Sequence, residues 1–210
     1  MEGQPSNSPF RWHSECDDQL LQKCAFAKAS GGCDIAATII RPSLFMQDMT
    51  RRHFAPVIRE EDTFYQLGKL DAAASARIGT EDHNVPMDYQ DLYRIAMIDA
   101  RDIAEVCACA LTEPISAHAN NTYIVTGPRA LSWSDVAGAI SNACGRGITA
   151  TMLGDRAFFE RFGRSHVYLK QMQAYRSGCG EDVDNDFEVV TGHRPRDIIE
   201  FALDHADAWK

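Results

Sequence analysis

The residues of this sequence that could carry chemistry are dispersed along the chain. The seven histidines lie at positions 13, 53, 83, 118, 166, 193 and 205. No two of them are three or four residues apart, which is the spacing of a metal-binding pair on a helix. The seven cysteines form an odd set without a C-x-x-C pair, a pattern that argues against a disulfide framework and a zinc knuckle. The sequence therefore predicts reduced thiols and no metal site.

The glycines bear on nucleotide chemistry. Dinucleotide-binding folds hold the pyrophosphate at a G-x-G-x-x-G turn between a strand and a helix, and this chain has no such turn. Gly178-x-Gly180 follows a predicted helix and a serine, so it is interpreted as a flexible helix terminus. The glycine-rich loop that would cradle a dinucleotide is absent from this sequence.

Length and charge limit the classes of protein that these residues could belong to. A chain of 210 residues corresponds to one domain, with room for a small second lobe. The formal net charge of −9 repels phosphate backbones and anionic lipids, so nucleic acid and membrane surfaces are poor partners. The polar start Met1 to Asn7 has no apolar signal region, and no stretch is long enough to span a bilayer. We expect a cytoplasmic protein that binds a small molecule.

Local patterns predict a helix and a strand in the first forty residues. The first ten residues are rich in glycine, proline and serine and are interpreted as a loose leader. Ser14 is predicted to cap a helix that ends at Gly31-Gly32, with a buried stripe of Cys16, Leu20, Cys24 and Ala27. The run from Ala36 to Ile40, closed by Arg41-Pro42, is typical of a strand buried on both faces of a parallel sheet.

The middle of the chain is less regular. A short helix is predicted from Leu44 to Phe54, stopped by Pro56, and a strand from Thr63 to Gln66. Periodicity then fails from residue 68 to residue 94, which we interpret as a long loop. A loop of this length is either poorly packed or a lid over a site.

The second half alternates helices and short strands. Asp99 is predicted to cap a helix that runs to Leu111, and Ser132 with Asp135 to form a capping box for a helix that ends at Gly145. Strands are predicted over 121–126 and 147–152, and helices at about 155–163, 166–177, 182–190 and 196–208. The expected fold is a helix-rich α/β domain, in which residues 115–210 form a smaller helical lobe.

Several segments in family order resemble the NmrA-like group of atypical short-chain dehydrogenase/reductases, closest to its fungal festuclavine/agroclavine dehydrogenase type. The segments are Arg11-Trp12-His13-Ser14-Glu15, Thr38-Ile39-Ile40-Arg41-Pro42-Ser43-Leu44-Phe45-Met46-Gln47-Asp48, Met97-Ile98-Asp99-Ala100-Arg101-Asp102-Ile103-Ala104, Thr122-Tyr123-Ile124-Val125-Thr126-Gly127-Pro128, Leu131-Ser132-Trp133 and Thr191-Gly192-His193-Arg194-Pro195-Arg196. The resemblance implies the C-terminal part of a Rossmann-like NAD(P)-binding fold with a smaller helical substrate lobe, in a single domain over 1–210. The family's first strand and glycine-rich loop are missing, so the chain is expected to be truncated at its N-terminus.

The resemblance also implies roles for individual residues. It places Trp12 and His13 at the start of the helix that borders the substrate pocket, and the segment 41–48 in a loop that passes the nicotinamide of NAD or NADP. The residues implied in substrate binding are Trp12, Phe45, Met46 and Asp48, and those implied in cofactor binding are Arg41, Pro42 and Ser43. His13 is the nearest candidate proton donor. The family usually has asparagine where Asp48 stands.

Three functions remain open at this stage. The resemblance implies an NAD(P)H-dependent oxidoreductase of fungal secondary metabolism that reduces an imine- or enone-like molecule, as in alkaloid pathways. The second is a non-catalytic, NmrA-like regulator that binds a partner, and an exposed sheet edge at Ala36 to Ile40 would favour a homo- or hetero-oligomer. The third is a truncated, inactive homologue. Without the glycine loop, we expect this chain alone to bind NADPH no better than millimolar.

Overall fold

The computed structural model describes residues 9–31, 35–51, 53–69, 91–162 and 166–210, with side chains from residue 13 onward apart from that of His166. The helices are α1 (Pro9–Ala29), α2 (Ala55–Glu61), α3 (Ala100–Thr112), α4 (Ile115–His118), α5 (Trp133–Cys144), α6 (Asp155–Phe162), α7 (His166–Arg176), α8 (Asp186–Thr191) and α9 (Ile198–Asp204). The strands are β1 (Ile39–Pro42), β2 (Thr63–Leu67), β3 (Thr122–Val125) and β4 (Thr149–Leu153), and 3₁₀ turns lie at Met46–Thr50 and Ala206–Ala208.

The four strands form two parallel pairs. β1 pairs with β3, with Ile39 opposite Thr122, and β2 pairs with β4, with Thr63 opposite Thr149. Parallel strands need crossover connections, and helices supply them here. The predicted helix-rich α/β fold of the Rossmann-like type is confirmed.

Two predicted elements have shifted boundaries. The sequence predicts β1 over Ala36–Ile40, but the strand covers Ile39–Pro42. Its hydrogen bonds to the neighbouring strand begin with the amide of Ile39, which donates to the carbonyl of Asn121. The stretch 115–210 is not a separate helical lobe, since it contributes β3 and β4 to pairs with β1 and β2. The two halves of the chain therefore build their sheets together.

Helix α1 differs from its prediction at its start and on its inward face. It begins at Pro9, so Ser14 is not its cap and the predicted leader does not include residues 9 and 10; residues 1–8 lie outside the described part. Cys16 and Leu20, predicted as core, are exposed. The inward stripe consists instead of Ser14, Asp17, Leu21, Cys24 and Ala27. It carries polar residues because its N-terminal half faces a cavity.

The segment after β1 is also corrected by the structure. Pro56 was predicted to stop a helix, but it lies in the first turn of α2, where proline's missing N–H costs nothing. Where a helix was predicted from Leu44 to Phe54, the described residues form the 3₁₀ turn Met46–Thr50. Most of the predicted 68–94 loop, residues 70–90, lies outside the described part of the chain.

Several caps are confirmed as predicted. The side chain of Asp99 accepts from the amide of Arg101 at the start of α3. Ser132 and Asp135 form the capping box of α5, and Gly145 ends that helix at a φ of 75°. Local signals of this kind depend on a few neighbouring residues, which is why the sequence alone reveals them.

A large apolar core lies between the β2–β4 pair and helices α5, α6, α7 and α9. Its fully buried side chains include Phe64, Phe158, Phe201 and Trp209. The indole N–H of Trp209 donates to the carbonyl of Met49 at 2.9 Å, which ties the end of the chain to the 3₁₀ turn after β1. Among the described residues, no helix combines the length and the apolarity that a bilayer crossing requires.

Candidate functional site

A cavity of about 350 Å³ lies at the carboxyl end of β1, between α1, the segment after β1 and α7. Its lining residues are His13, Ser14, Asp17, Ile39, Ile40, Arg41, Pro42, Ser43, Leu44, Phe45, Asp48, Gln171 and Tyr175. Ligands of open α/β sheets bind outside the carboxyl ends of strands. The cavity is therefore at the position where this architecture places its ligand.

The structure brings most of the predicted site residues together. Six of the residues that the resemblance implied line the cavity; they are His13, Arg41, Pro42, Ser43, Phe45 and Asp48. Met46 does not line it: its side chain has no exposed surface and packs in the core, which removes the basis for a substrate contact. The side chain of Trp12 lies outside the described part.

The segment after β1 is held in place by residues just before α3. The amide of Met46 donates to the carbonyl of Ile98, and that of Ile98 to the carbonyl of Leu44, both at 2.9 Å. The amide group of Gln47 donates to Asp99 at 2.7 Å and accepts from the backbone of Ala100 at 2.9 Å. These bonds fix the position of the neighbouring Asp48 and Phe45 on the cavity wall.

An ion pair forms another part of the wall. The Nε of Arg41 donates to a carboxylate oxygen of Asp17 at 2.8 Å, with both side chains mostly buried. Asp17 is not among the site residues that the resemblance implies, although it lines the cavity. Its position four residues after His13 on α1 places both on one helix face, which is the signal that could have identified it. The pair neutralises two of the cavity's charges.

Asp48 differs from Asp17 because its carboxyl is partly buried and its ion-pair partner, Arg51, is not one of the residues that line the cavity. Burial raises the pKa of Asp48, and the charges of Arg51 and His53 only partly oppose this. The guanidinium of Arg51 lies 3.5 Å from this carboxylate and its side chain is 65% exposed.

Helix α7 contributes two side chains that the sequence did not identify. Tyr175 and Gln171 face the cavity from one side of α7. Burial raises the pKa of Tyr175 to about 12, opposed by a hydrogen bond with Gln171. No local motif marks these residues, and they come to the site from more than 120 residues further along the chain.

Ser43 has an unsatisfied group at the cavity. Its backbone amide donates to the carbonyl of Val125 at 3.0 Å, which continues the β1–β3 ladder. Its hydroxyl oxygen is buried and has no hydrogen-bond partner among the described residues. A buried polar group of this kind is costly unless a ligand or water bonds to it, so the serine is suited to binding a polar ligand atom.

Gly180 sets the position of the Tyr175 ring. A Cβ at Gly180, where φ is 90°, would lie 2.8 Å from the ring atom Cε1 of Tyr175. We expect Gly180→Ala to cost roughly 2 kcal/mol or more and to displace the ring, since it adds an overpacked contact to a strained backbone. Thermal unfolding and the NMR signals of the Tyr175 ring measure the two effects.

Gly178 supplies the matched control for this substitution. Its φ of 95° is nearly the same, but a Cβ there meets nothing within 4 Å. Gly178→Ala should therefore show only the backbone cost, about 1 kcal/mol, with the ring signals in place. Equal behaviour of the two variants would show that the contact with Tyr175 is unimportant.

Comparison with known proteins identifies sequence relatives, although no family model matches the chain. Agroclavine dehydrogenase of Claviceps fusiformis is 28% identical over 186 residues, which cover 83% of this chain and 55% of that protein. NAD(P)H azoreductase of Xenophilus azovorans is 32% identical over 211 residues, covering 95% of this chain and 59% of that one. The chain thus spans a little over half the length of these relatives.

Solved structures with a similar fold are more distant in sequence. A nucleoside-diphosphate-sugar epimerase of Staphylococcus aureus matches with a TM-score of 0.61 at 17% identity, covering 80% of this chain and 52% of that one. The triphenylmethane reductase of Citrobacter sp. complexed with NADP(H) matches with a TM-score of 0.56 at 12% identity, covering 80% and 53%. At these identities the likeness concerns the fold.

The parallel strands, the crossover helices and the structural matches define the fold class as Rossmann-like α/β. Within that class, the sequence relatives confirm the resemblance found in the sequence. The chain is similar in sequence to agroclavine dehydrogenases of Claviceps, at 28% identity, and to festuclavine dehydrogenase of Aspergillus fumigatus, at 29% identity.

Proposed function

We propose that this protein is an NAD(P)H-dependent oxidoreductase that reduces a conjugated small molecule with an imine- or enone-like group. The observation that carries the proposal is the cavity at the carboxyl end of β1, lined by six of the residues that the family resemblance implies. The names of the relatives support it, since one is a dehydrogenase of the clavine type and another an NAD(P)H azoreductase. The agroclavine dehydrogenases of Claviceps favour a role in fungal secondary metabolism.

The cavity suits one end of the cofactor together with a small acceptor. A volume of about 350 Å³ accommodates one ring system, and a whole dinucleotide is larger. The unpartnered hydroxyl of Ser43, with the backbone from Arg41 onward, would hold the nicotinamide end. When bound there, NAD(P)H supplies a hydride, and the protein supplies position and electrostatics.

Side chains on two walls of the cavity would contact the acceptor molecule. Phe45 offers an apolar surface against which a flat conjugated molecule can pack. His13, the proton donor that the resemblance implies, is exposed on α1. The pair Asp17–Arg41 lies between these walls and adds no net charge.

The proposal is tested by titrating the protein with NADPH and, in parallel, with ADP-ribose, which lacks the nicotinamide. We expect NADPH at millimolar concentration to shift the NMR signals of Arg41 and Ser43, and ADP-ribose to leave them in place. We also expect NADPH oxidation in the presence of an azo dye, saturable in the dye. If NADPH neither shifts these signals nor reduces the dye, the proposed function is wrong.

A further inference from the structure

The cavity holds several groups that could carry a proton, and the structure separates them. The carboxylate of Asp17 is already engaged, since it accepts a hydrogen bond from the Nε of Arg41 at 2.8 Å. Tyr175 is buried and its pKa is raised to about 12, so its hydroxyl is a weak acid at neutral pH. His13 also lines the cavity, from α1, and its side chain is exposed. Asp48 is the remaining carboxyl on the wall.

The surroundings of Asp48 suit a group that gives up a proton and regains it. Its side chain is 32% exposed, so water reaches it, and burial raises its pKa above the usual value. The guanidinium of Arg51 lies 3.5 Å away and stabilises the carboxylate that is left after the proton departs. His53 adds positive potential at Asp48. The negative charge of Asp48 in turn contributes to the raised pKa of the hydroxyls of Tyr168 and Tyr175.

We propose that Asp48 is the general acid of the reduction and donates the proton that a neutral acceptor needs. The inference rests on the proposed function, because reduced nicotinamide is the hydride source. A C–H or N–H bond forms between the hydride and one atom of the acceptor's double bond, and the π electron pair moves to the second atom. The O–H bond of Asp48 breaks as that second atom takes the proton. The carboxylate remains beside Arg51 and is protonated again from water.

This role predicts a dependence on the charge of the acceptor. An acceptor that already carries a positive charge, such as a triarylmethane dye cation, is neutralised by the hydride and takes no proton. A neutral azo dye or imine takes both. Removing a general acid typically costs a factor of 10² to 10⁴ in rate, so the loss should be far larger with the neutral acceptor than with the cation.

The decisive variant is Asp48→Asn, which keeps the shape of the side chain and removes its proton. Because the resembling family usually has asparagine at this position, we expect the variant to fold. With NADPH and the neutral azo dye, we expect its rate to fall at least a hundredfold, and with the triarylmethane cation, which takes no proton, to fall far less. Asp48→Glu should restore part of the rate with the neutral dye.

The pH profile gives a second readout. The wild-type rate with the neutral dye should fall as pH rises through the pKa of Asp48, because the proton is then lost before reaction. Arg51→Gln removes the charge that favours the carboxylate, so this fall should move to higher pH. Carbon-13 NMR of the Asp48 carboxyl should show the same displacement without any cofactor present.

The outcomes separate this assignment from the proposed function. Equal losses for both dyes, or none for either, would overturn the role of Asp48 while leaving the reductase activity in place. The same holds if His13→Gln, and not Asp48→Asn, removes reduction of the neutral dye. If the wild-type protein reduces neither dye, the proposed function and this role fail together.

Discussion

Replacing Gly127 with alanine is expected to lower the free energy of unfolding by about 3 kcal/mol or more. A Cβ at this position would lie 2.0 Å from the carbonyl oxygen of Met97 and 3.2 Å from its carbon. The atoms that the added Cβ would meet belong to the backbone of Met97, which cannot rotate away as the end of a side chain can. The backbone at Gly127, just after β3, would have to move away from the backbone at Met97, just before α3. The residues before α3 also hold the segment that carries Phe45 and Asp48, so that segment would be disturbed too.

Gly138 provides the matched control. It lies in the interior of α5, and an added Cβ meets nothing within 4 Å. Because alanine favours helix over glycine by about 1 kcal/mol, Gly138→Ala should leave the protein unchanged or stabilise it. Thermal unfolding should show a Tm lowered by about 6 °C or more for Gly127→Ala. A Tm within about 1 °C of wild type would contradict the close approach.

Replacing Asp99 with alanine is expected to cost about 3 kcal/mol. The carboxylate is fully buried and accepts from the backbone and side chain of Arg101 and from Gln47. Alanine removes the cap of α3 and leaves the amide of Gln47 without its acceptor. Chemical denaturation measures the loss, and we expect the signals of Asp48 to shift as well, since Gln47 precedes it.

The charge of Asp99 makes part of this stability dependent on pH. Burial alone would raise the pKa of Asp99, but hydrogen bonds from Arg101 and Gln47 outweigh it and hold the pKa below its usual value. The ionised form is therefore favoured by folding, and its contribution is present above about pH 4 and lost as pH falls through the folded pKa.

Asp99→Asn isolates that charge, because asparagine also caps helices. We expect the difference in stability between wild type and Asp99→Asn to be largest near pH 7 and to shrink below about pH 4. A difference that is constant from pH 7 to pH 3 would show that the charge makes no contribution.

The fold could be predicted wherever a signal was local. Asp99 and the Ser132–Asp135 box mark the starts of α3 and α5 through bonds between near neighbours. Pro56 was misinterpreted because proline both follows helices and begins them, and the sequence does not distinguish the two. The inward face of α1 was missed because Asp17 is buried by an ion pair with Arg41, 24 residues away.

The residues of the candidate site also divide into those that the sequence could identify and those that only the structure reveals. The family resemblance identified residues on α1 and after β1, and the structure brings six of them to one cavity. Tyr175 and Gln171 could not be predicted, because α7 reaches the cavity only through tertiary packing. The unsatisfied hydroxyl of Ser43 is likewise visible only in three dimensions, since it depends on which partners are absent around it.

The bond between Trp209 and Met49 gives the protein a built-in optical reporter. Indole fluorescence responds to the polarity and hydrogen bonding around the ring, and this indole is fully buried with its N–H on the carbonyl next to Asp48 in the chain. Trp133 is also buried, but its N–H donates to the hydroxyl of Tyr93 and not to a residue of that turn. The emission of Trp209 therefore follows the 3₁₀ turn itself, so that turn can be observed in solution without attaching a dye.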